Sequence, residues 1–262
     1  MDLAWYQYLV IVIAGVLTGI INTLAGSGSL ITLPIFIFLC GLPPSVANGT
    51  NRIGALIQSG VGIYAFKKAN RVPEKGIVWI LIPIIIGAIV GSRIAVNLDE
   101  RMMNIAIGGL MVFMLLVLLI NPKRWIRETQ LDAVNHRRPV SLITFFLIGV
   151  YGGFIQAGVG IFLLAGLVLA ANYSLSDSNV IKLVAVFCFS IPALIIFFYY
   201  DQVHVGFGLL MAVCQSVGAV LAIRFVSKVP NANKWIYRLL IVIVIVSAAK
   251  FLGFYDWIIS QF

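Results

Sequence analysis

The residues of this chain best suited to holding a solute are small, mostly uncharged and few. Ser27 and Ser29 alternate with glycine in Asn22-Thr23-Leu24-Ala25-Gly26-Ser27-Gly28-Ser29, inside an otherwise apolar stretch. A second polar group, Asn48-Gly49-Thr50-Asn51-Arg52, lies just beyond it. The later part of the chain offers Gln156-Ala157-Gly158-Val159-Gly160 and then Asn179 and Lys182. Hydroxyls, amides and the free N–H groups at a helix start all donate hydrogen bonds, and the positive end of a helix dipole favours negative charge. The chemistry on offer is anion binding.

The elements that must position these residues lie in a membrane. Hydrophobic residues make up 61% of the 262 and charged ones 10%, and the mean hydropathy is +1.07. A soluble domain carries about 25% charged residues. Such a composition points to a polytopic membrane protein, and with 262 residues no soluble domain is expected beside the membrane segments. The N-terminal Met1-Asp2-Leu3-Ala4-Trp5 lacks a basic region and a clear cleavage site, so it is expected to be retained.

From Trp5 to Leu42 the sequence is nearly all apolar. As one helix it would extend about 55 Å, against a hydrocarbon core of about 30 Å. It must break, and Gly26-Ser27-Gly28-Ser29 is the expected place. A broken segment inside a bilayer is tolerated where it lines a cavity, which makes the break a candidate site. Further segments follow at 46–66, 77–96 and 102–120. Pro139–Ala171 is a second overlong block, interrupted at Gln156–Gly160, and 180–200, 204–225 and 235–253 complete the chain.

The two halves repeat. A shift of 131 residues lays Asn48 on Asn179, Ser59 on Ser190, Phe66 on Phe197, Gly87-Ala88 on Gly218-Ala219 and Arg93 on Arg224. With a two-residue deletion upstream, Asn22 meets Gln156 and Gly26-Ser27-Gly28 meets Gly158-Val159-Gly160. The net charge of +9 sits between apolar segments, as the positive-inside rule expects, and does not point to nucleic acid. Placing the basic loops at 67–75, 121–138 and 224–238 inside requires each overlong block to leave and return to the same side. It could do so as two short crossings or as a re-entrant hairpin. Each half then makes an odd number of crossings, and both termini lie outside. The expectation is an all-α polytopic membrane protein of two homologous halves, arranged as inverted repeats, each opening with a Gly-broken membrane segment. Residues 1–121 form the first repeat, 122–138 a basic cytoplasmic linker and 139–262 the second repeat.

The candidate substrate-binding residues are therefore Asn22, Ser27, Gly28, Ser29, Asn48, Thr50, Asn51, Gln156, Gly158, Asn179 and Lys182. Lys182 is the only charge well inside the second half's apolar run, and an intramembrane cation marks a functional site by default. The competing reading has Lys182 snorkelling to the interface, and has Ser27, Ser29 and Thr32 only capping and packing a break. Arg52 stands between the two readings, while Arg93 and Arg224 fit interface anchoring. Gln58, Gln156, Gln215 and Asn22 could bond across helices or contact a substrate. Cys40, Cys188 and Cys214 fall in apolar segments without metal-type spacing, and no catalytic group, metal or cofactor is expected. No intramembrane Asp or Glu is apparent, which argues against a carboxylate-based cation pump.

Gly15-x3-Gly19, then LAGSGSLITLP and VANGTNRIGALIQSG, resemble the sulfite exporter TauE/SafE family, also called the toluenesulfonate uptake permeases. The resemblance covers essentially the whole chain; Ser27 and Ser29 stand where that family usually has more glycine. It implies a multi-pass transporter in a prokaryotic plasma membrane, carrying small anions such as sulfite or organosulfonates. The expected mechanism is alternating access at a central site between the repeats, with lipid and the anion as partners. An anion channel is the nearest alternative. Ala25-Gly26-Ser27-Gly28 also approximates the setting of an intramembrane serine hydrolase, which would need His204 or His136 within reach of Ser27.

Overall fold

The computed structural model describes residues 4–68, 77–120, 139–224 and 232–251, with the side chains of Ala25, Lys68, Leu175, Ser176 and 232–237 left out. The linker 122–138, His136 and the loop cations Arg71, Lys75 and Lys228 lie outside them.

The regular structure among the described residues is all helical. Helix α1 is Trp5–Ala25, and α2 is Ser29–Pro34, running into a π-helical turn at Ile35–Leu39. Then come α3 (Pro44–Lys68), α4 (Val78–Val96) and α5 (Glu100–Leu119). The second half repeats this order with α6 (Pro139–Phe154), α7 (Val159–Ala165) and its π-helical turn Gly166–Ala170, α8 (Leu175–Tyr199), α9 (Val205–Arg224) and α10 (Ala232–Phe251). Five helices among the described residues are long and apolar enough to cross a membrane: α1, α4, α5, α8 and α9. Ile82, Ile86, Leu147, Ile195 and Val213 are exposed on these helices and on α6. Large aliphatic side chains facing outward on several helices fit a lipid surround.

Both breaks fall where the glycine clusters stand. Gly26 (φ 75°) and Gly158 (φ 69°), equivalent in the repeat, both take the left-handed conformation that glycine adopts without a Cβ penalty. The likeness continues past the breaks. Cys40 N–H donates to Ile35 O at 3.0 Å and Leu42 N–H to Phe36 O at 2.9 Å. In the second half, Ala171 N–H donates to Gly166 O at 3.2 Å and Tyr173 N–H to Leu167 O at 2.9 Å. The left-handed residue at each exit is Gly41 (φ 64°) or Asn172 (φ 58°), two residue types that tolerate it. Pro34 precedes the first π-turn, but Ala165 precedes the second, so the wide turn does not need a proline.

Helices α3 and α8 begin earlier than their apolar segments suggest. Pro44 supplies the first turn of α3, where its missing N–H costs nothing, and Ser45 bonds Glu100 through both its N–H and its hydroxyl. Ser174 caps α8 by accepting from Asp177 N–H at 3.0 Å. Asn48–Arg52 and Asn179–Lys182 therefore sit inside helices.

Three sets of close contacts give the helix directions. Gly15 lies against Met211 and Cys214, Gly19 against Gln215, and Gly218 against Val16 and Ile20, so α1 and α9 run parallel. Gly149 meets Ile84 and Gly153 meets Ala88, so α4 and α6 also run parallel. These seams bring backbone to backbone through small residues, as membrane helix pairs commonly do. Between equivalents α3 and α8 the order is opposite: Gly49 and Arg52 face Phe197, Gly60 faces Phe187 and Gly62 faces Leu183. The chain folds back after α1, because Gly28 sits against Thr18 and Asn22. The starts of α1 and α3 both meet the α8–α9 turn: Tyr8 shares a cleft with His204, and Gly49 abuts Gln202. The block from Trp5 to Leu42 thus returns to the end it left.

Candidate functional site

The two breaks touch. A Cβ on Gly160 would stand 2.5 Å from Gly26 Cα, and the Ser29 hydroxyl donates to Gln156 O at 2.9 Å. α3 and α8 each reach the broken helix of the opposite half. On the α6 side, Asn48 Nδ2 donates to Phe154 O at 2.8 Å. The Arg52 guanidinium donates to Gly152 O at 3.1 Å, Gly153 O at 2.6 Å and Phe154 O at 3.4 Å. Those are the last carbonyls of α6, where a helix leaves acceptors unpaired and its dipole favours a cation. Arg52 also lies 4.5 Å above the Phe197 ring, a contact worth about 2 kcal/mol when desolvated. On the α1 side, Lys182 Nζ donates to Thr23 O at 3.2 Å and to Asn179 Oδ1 at 3.3 Å.

The remaining candidates divide between the break and its supports. Thr32 donates to Asn51 Oδ1 at 2.6 Å, tying α2 to α3. Asn22 donates to Gln58 Oε1 at 2.9 Å, and Gln58 Nε2 returns to Gly19 O and Thr23 Oγ1, both at 3.3 Å. Its counterpart Gln156 donates to Ser190 Oγ at 3.1 Å. Both residues therefore bond across helices. Gly28 packs on α1, and Gly158 against Met114 and Leu30. Thr50 is directed elsewhere: it accepts from His204 N–H at 2.8 Å, at the α8–α9 turn. The first amides of α2 are partly spent, since Leu30 N–H closes on Ser27 O and Ile31 N–H on Gly28 O.

Arg52 is fully buried and Lys182 is 1% exposed, so neither snorkels. Among the described residues no Asp or Glu is buried: Asp99, Glu100 and Asp201 are exposed and Asp177 is intermediate. The buried basic side chains Arg52 and Lys182 thus have no buried carboxylate beside them in the interior of the described bundle. Several of its buried polar atoms have no hydrogen-bond partner among the described residues, including Ser27 Oγ, Asn48 Oδ1, Asn51 Nδ2, Arg52 Nε and Gln156 Oε1. Leaving such a group unpaired costs about 1–3 kcal/mol, which makes these five, on α3 and at the two breaks, candidates for contact with a solute. Two clefts elsewhere do not share this chemistry. One of about 380 Å³ is lined by Tyr8, His204, Gly206, Phe207 and Leu210, and another is wholly apolar, between α4 and α6.

Sequence reasoning left Arg52 undecided, although it stands one turn from Asn48 on α3. It placed no weight on Thr23 or Ser190, whose roles depend on partners far away in the chain. His204 is occupied as the cap of α9: its Nδ1 accepts from Phe207 N–H at 3.3 Å and its ring stacks on Phe207. Ser27 has no such partner, so these two do not form the pair a serine nucleophile requires.

The sequence profile described as Sulfite exporter TauE/SafE matches residues 11–251, from α1 to α10 with both breaks included. A probable membrane transporter protein of Sinorhizobium is 25% identical over 256 residues, covering 96% of this chain and 95% of its own. A probable membrane transporter protein of Haemophilus influenzae is 24% identical over 231 residues, with 86% and 88% covered. Another, from Escherichia coli K12, is 23% identical over 243 residues, with 93% and 88% covered. These relatives match over most of their own length and of this chain. No solved structure matches the chain.

Proposed function

The chain belongs to the sulfite exporter TauE/SafE family, and on that premise we propose that it carries a small anion, sulfite or an organosulfonate, bound where its two breaks meet. It is a multi-pass membrane transporter of the plasma membrane. The observation that supports an anion is the buried pair Arg52 and Lys182 beside the touching breaks, with no buried carboxylate among the described residues. Intramembrane cations mark substrate paths, and a substrate anion would complete their charge balance. Lys182 contributes positive potential there, with Asn22, Ser27, Gly28, Ser29, Asn48, Asn51, Gln156, Gly158 and Asn179 forming and supporting the site.

In this reading residues 1–121 and 139–262 are inverted repeats, and the antiparallel course of α3 and α8 supports that arrangement. Discontinuous helices meeting at a repeat interface are the usual setting for alternating access. The test is transport into liposomes holding the purified protein. Saturable uptake of sulfite or sulfoacetate, accelerated by the same anion inside, is the expected result. Flux that never saturates would replace the carrier by a channel. Transport of carboxylates but no sulfur anion would withdraw the substrate class.

A further inference from the structure

We infer that the anion's seat is a closed polar circuit at the end of α6, with Arg52 and Asn51 of the circuit and Ser27 of the adjoining break as the direct donors. The inference rests on the anion-transporter reading above and adds to it the residues that touch the ligand.

The circuit can be traced bond by bond. Asn48 and Arg52 on α3 both donate to Phe154 O at the end of α6. Two residues on, Gln156 O accepts from Ser29 of α2. One turn along α2, Thr32 donates to Asn51, which adjoins Arg52 on α3 and closes the ring. Three elements from both halves are thus tied together, and the links at Asn51 and Arg52 each leave an atom over. The Thr32 bond occupies Asn51 Oδ1, so Nδ2 is the free end of that amide. Three of the five guanidinium N–H groups of Arg52 donate to α6 carbonyls and the group is held over Phe197; Nε, which has no partner among the described residues, is the donor atom left over. Ser27 Oγ, wholly buried in the first break beside Gly26, is the third.

Three unpaired donors and a buried cation form a receptor for an oxyanion. The two unpaired acceptors of the same circuit, Asn48 Oδ1 and Gln156 Oε1, suit a water or a ligand hydroxyl beside it. The α1 side differs. There Lys182 is already engaged by Thr23 O and Asn179 Oδ1, so it acts as a strut and a source of field. The pseudo-symmetric scaffold holds an asymmetric seat.

The experiment measures sulfite and methanesulfonate binding to the detergent-purified full chain by calorimetry, with thermal unfolding run alongside. Ser27→Ala removes a hydroxyl that bonds nothing among the described residues, so a purely structural role predicts an unchanged or slightly higher melting temperature and unchanged affinity. The seat predicts an affinity loss of about tenfold with folding intact. Asn51→Asp keeps the acceptor for Thr32 and replaces the free donor by an anionic oxygen, and is expected to abolish binding. Arg52→Lys keeps the charge but loses Nε–H, and is expected to bind at least about tenfold more weakly. If Arg52→Lys does not fold, Ser27→Ala and Asn51→Asp decide. Wild-type affinity in those two variants would overturn the seat and leave the transporter reading standing. No binding of either anion by the wild type would overturn both.

Discussion

Arg52 and Lys182 each hold the broken helix of the other half. Arg52, from the first half, caps the carbonyl end of α6, and Lys182, from the second, reaches Thr23 O near the end of α1. The shift of 131 residues pairs Lys182 with Asn51, so the two cations are not sequence equivalents but neighbours by one residue. Helix ends inside a bilayer have no water to satisfy their carbonyls, and here each half supplies what the other lacks.

Lys182→Met tests what the second cation contributes. It keeps the bulk of the side chain while removing the donor to Thr23 O and Asn179 Oδ1. Loss of a charge-assisted bond of this kind is expected to cost about 1.5–3 kcal/mol of stability, read as a lower melting temperature in detergent. Sulfite affinity is expected to fall as well, since part of the positive field at the breaks is gone. Unchanged affinity and transport would remove Lys182 from the binding role and leave it only a strut.

The contact between the breaks carries a second prediction. A Cβ on Gly160 would lie 2.5 Å from both Cα and O of Gly26, and both partners are backbone. Gly160→Ala must therefore push the two breaks apart, with an expected loss of about 1–3 kcal/mol and of most transport. Gly109→Ala is the matched control, because a Cβ there meets nothing within 4 Å. Alanine in that helix is expected to leave transport unchanged and to stabilise by about 0.5–1 kcal/mol. Equal behaviour of the two variants in thermal unfolding and liposome uptake would dismiss the close approach as functionally idle.

The places where the chain breaks were legible because they are local. An apolar run too long for one crossing, with glycine at its middle, states the break in its own composition. The repeat was legible for the same reason: Asn48 and Asn179, or Arg93 and Arg224, keep one offset. What was not legible depends on partners a hundred residues away. Thr50 and Asn51 are adjacent and similar in type, yet the first bonds the α8–α9 turn and the second closes the ring at α2. Only the helical rotation of about 100° between neighbours separates them, and it has meaning only once α3 is packed. The π-turns were also hidden, since Ile35–Leu39 and Gly166–Ala170 share no residue pattern beyond being apolar.

The direction of the halves yields the last prediction. Helices α1 and α9 run parallel, as do α4 and α6, while α3 and its equivalent α8 run opposite ways. If the repeats are inverted across the bilayer, equivalent positions on α4 and α9 must end on opposite sides. Arg93 and Arg224 are such a pair, both exposed near the ends of their helices and both in the last turn. In a chain with Cys40, Cys188 and Cys214 replaced, Arg93→Cys and Arg224→Cys are made singly and treated in intact cells with a membrane-impermeant maleimide. One position is expected to label from outside and the other only after the membrane is opened. The loop that follows Arg224 carries more basic residues than the one that follows Arg93, so the positive-inside rule makes position 93 the one labelled in intact cells. Labelling of both from the same side would make the repeats parallel, and the antiparallel packing of α3 on α8 would then have to arise without a membrane-plane axis.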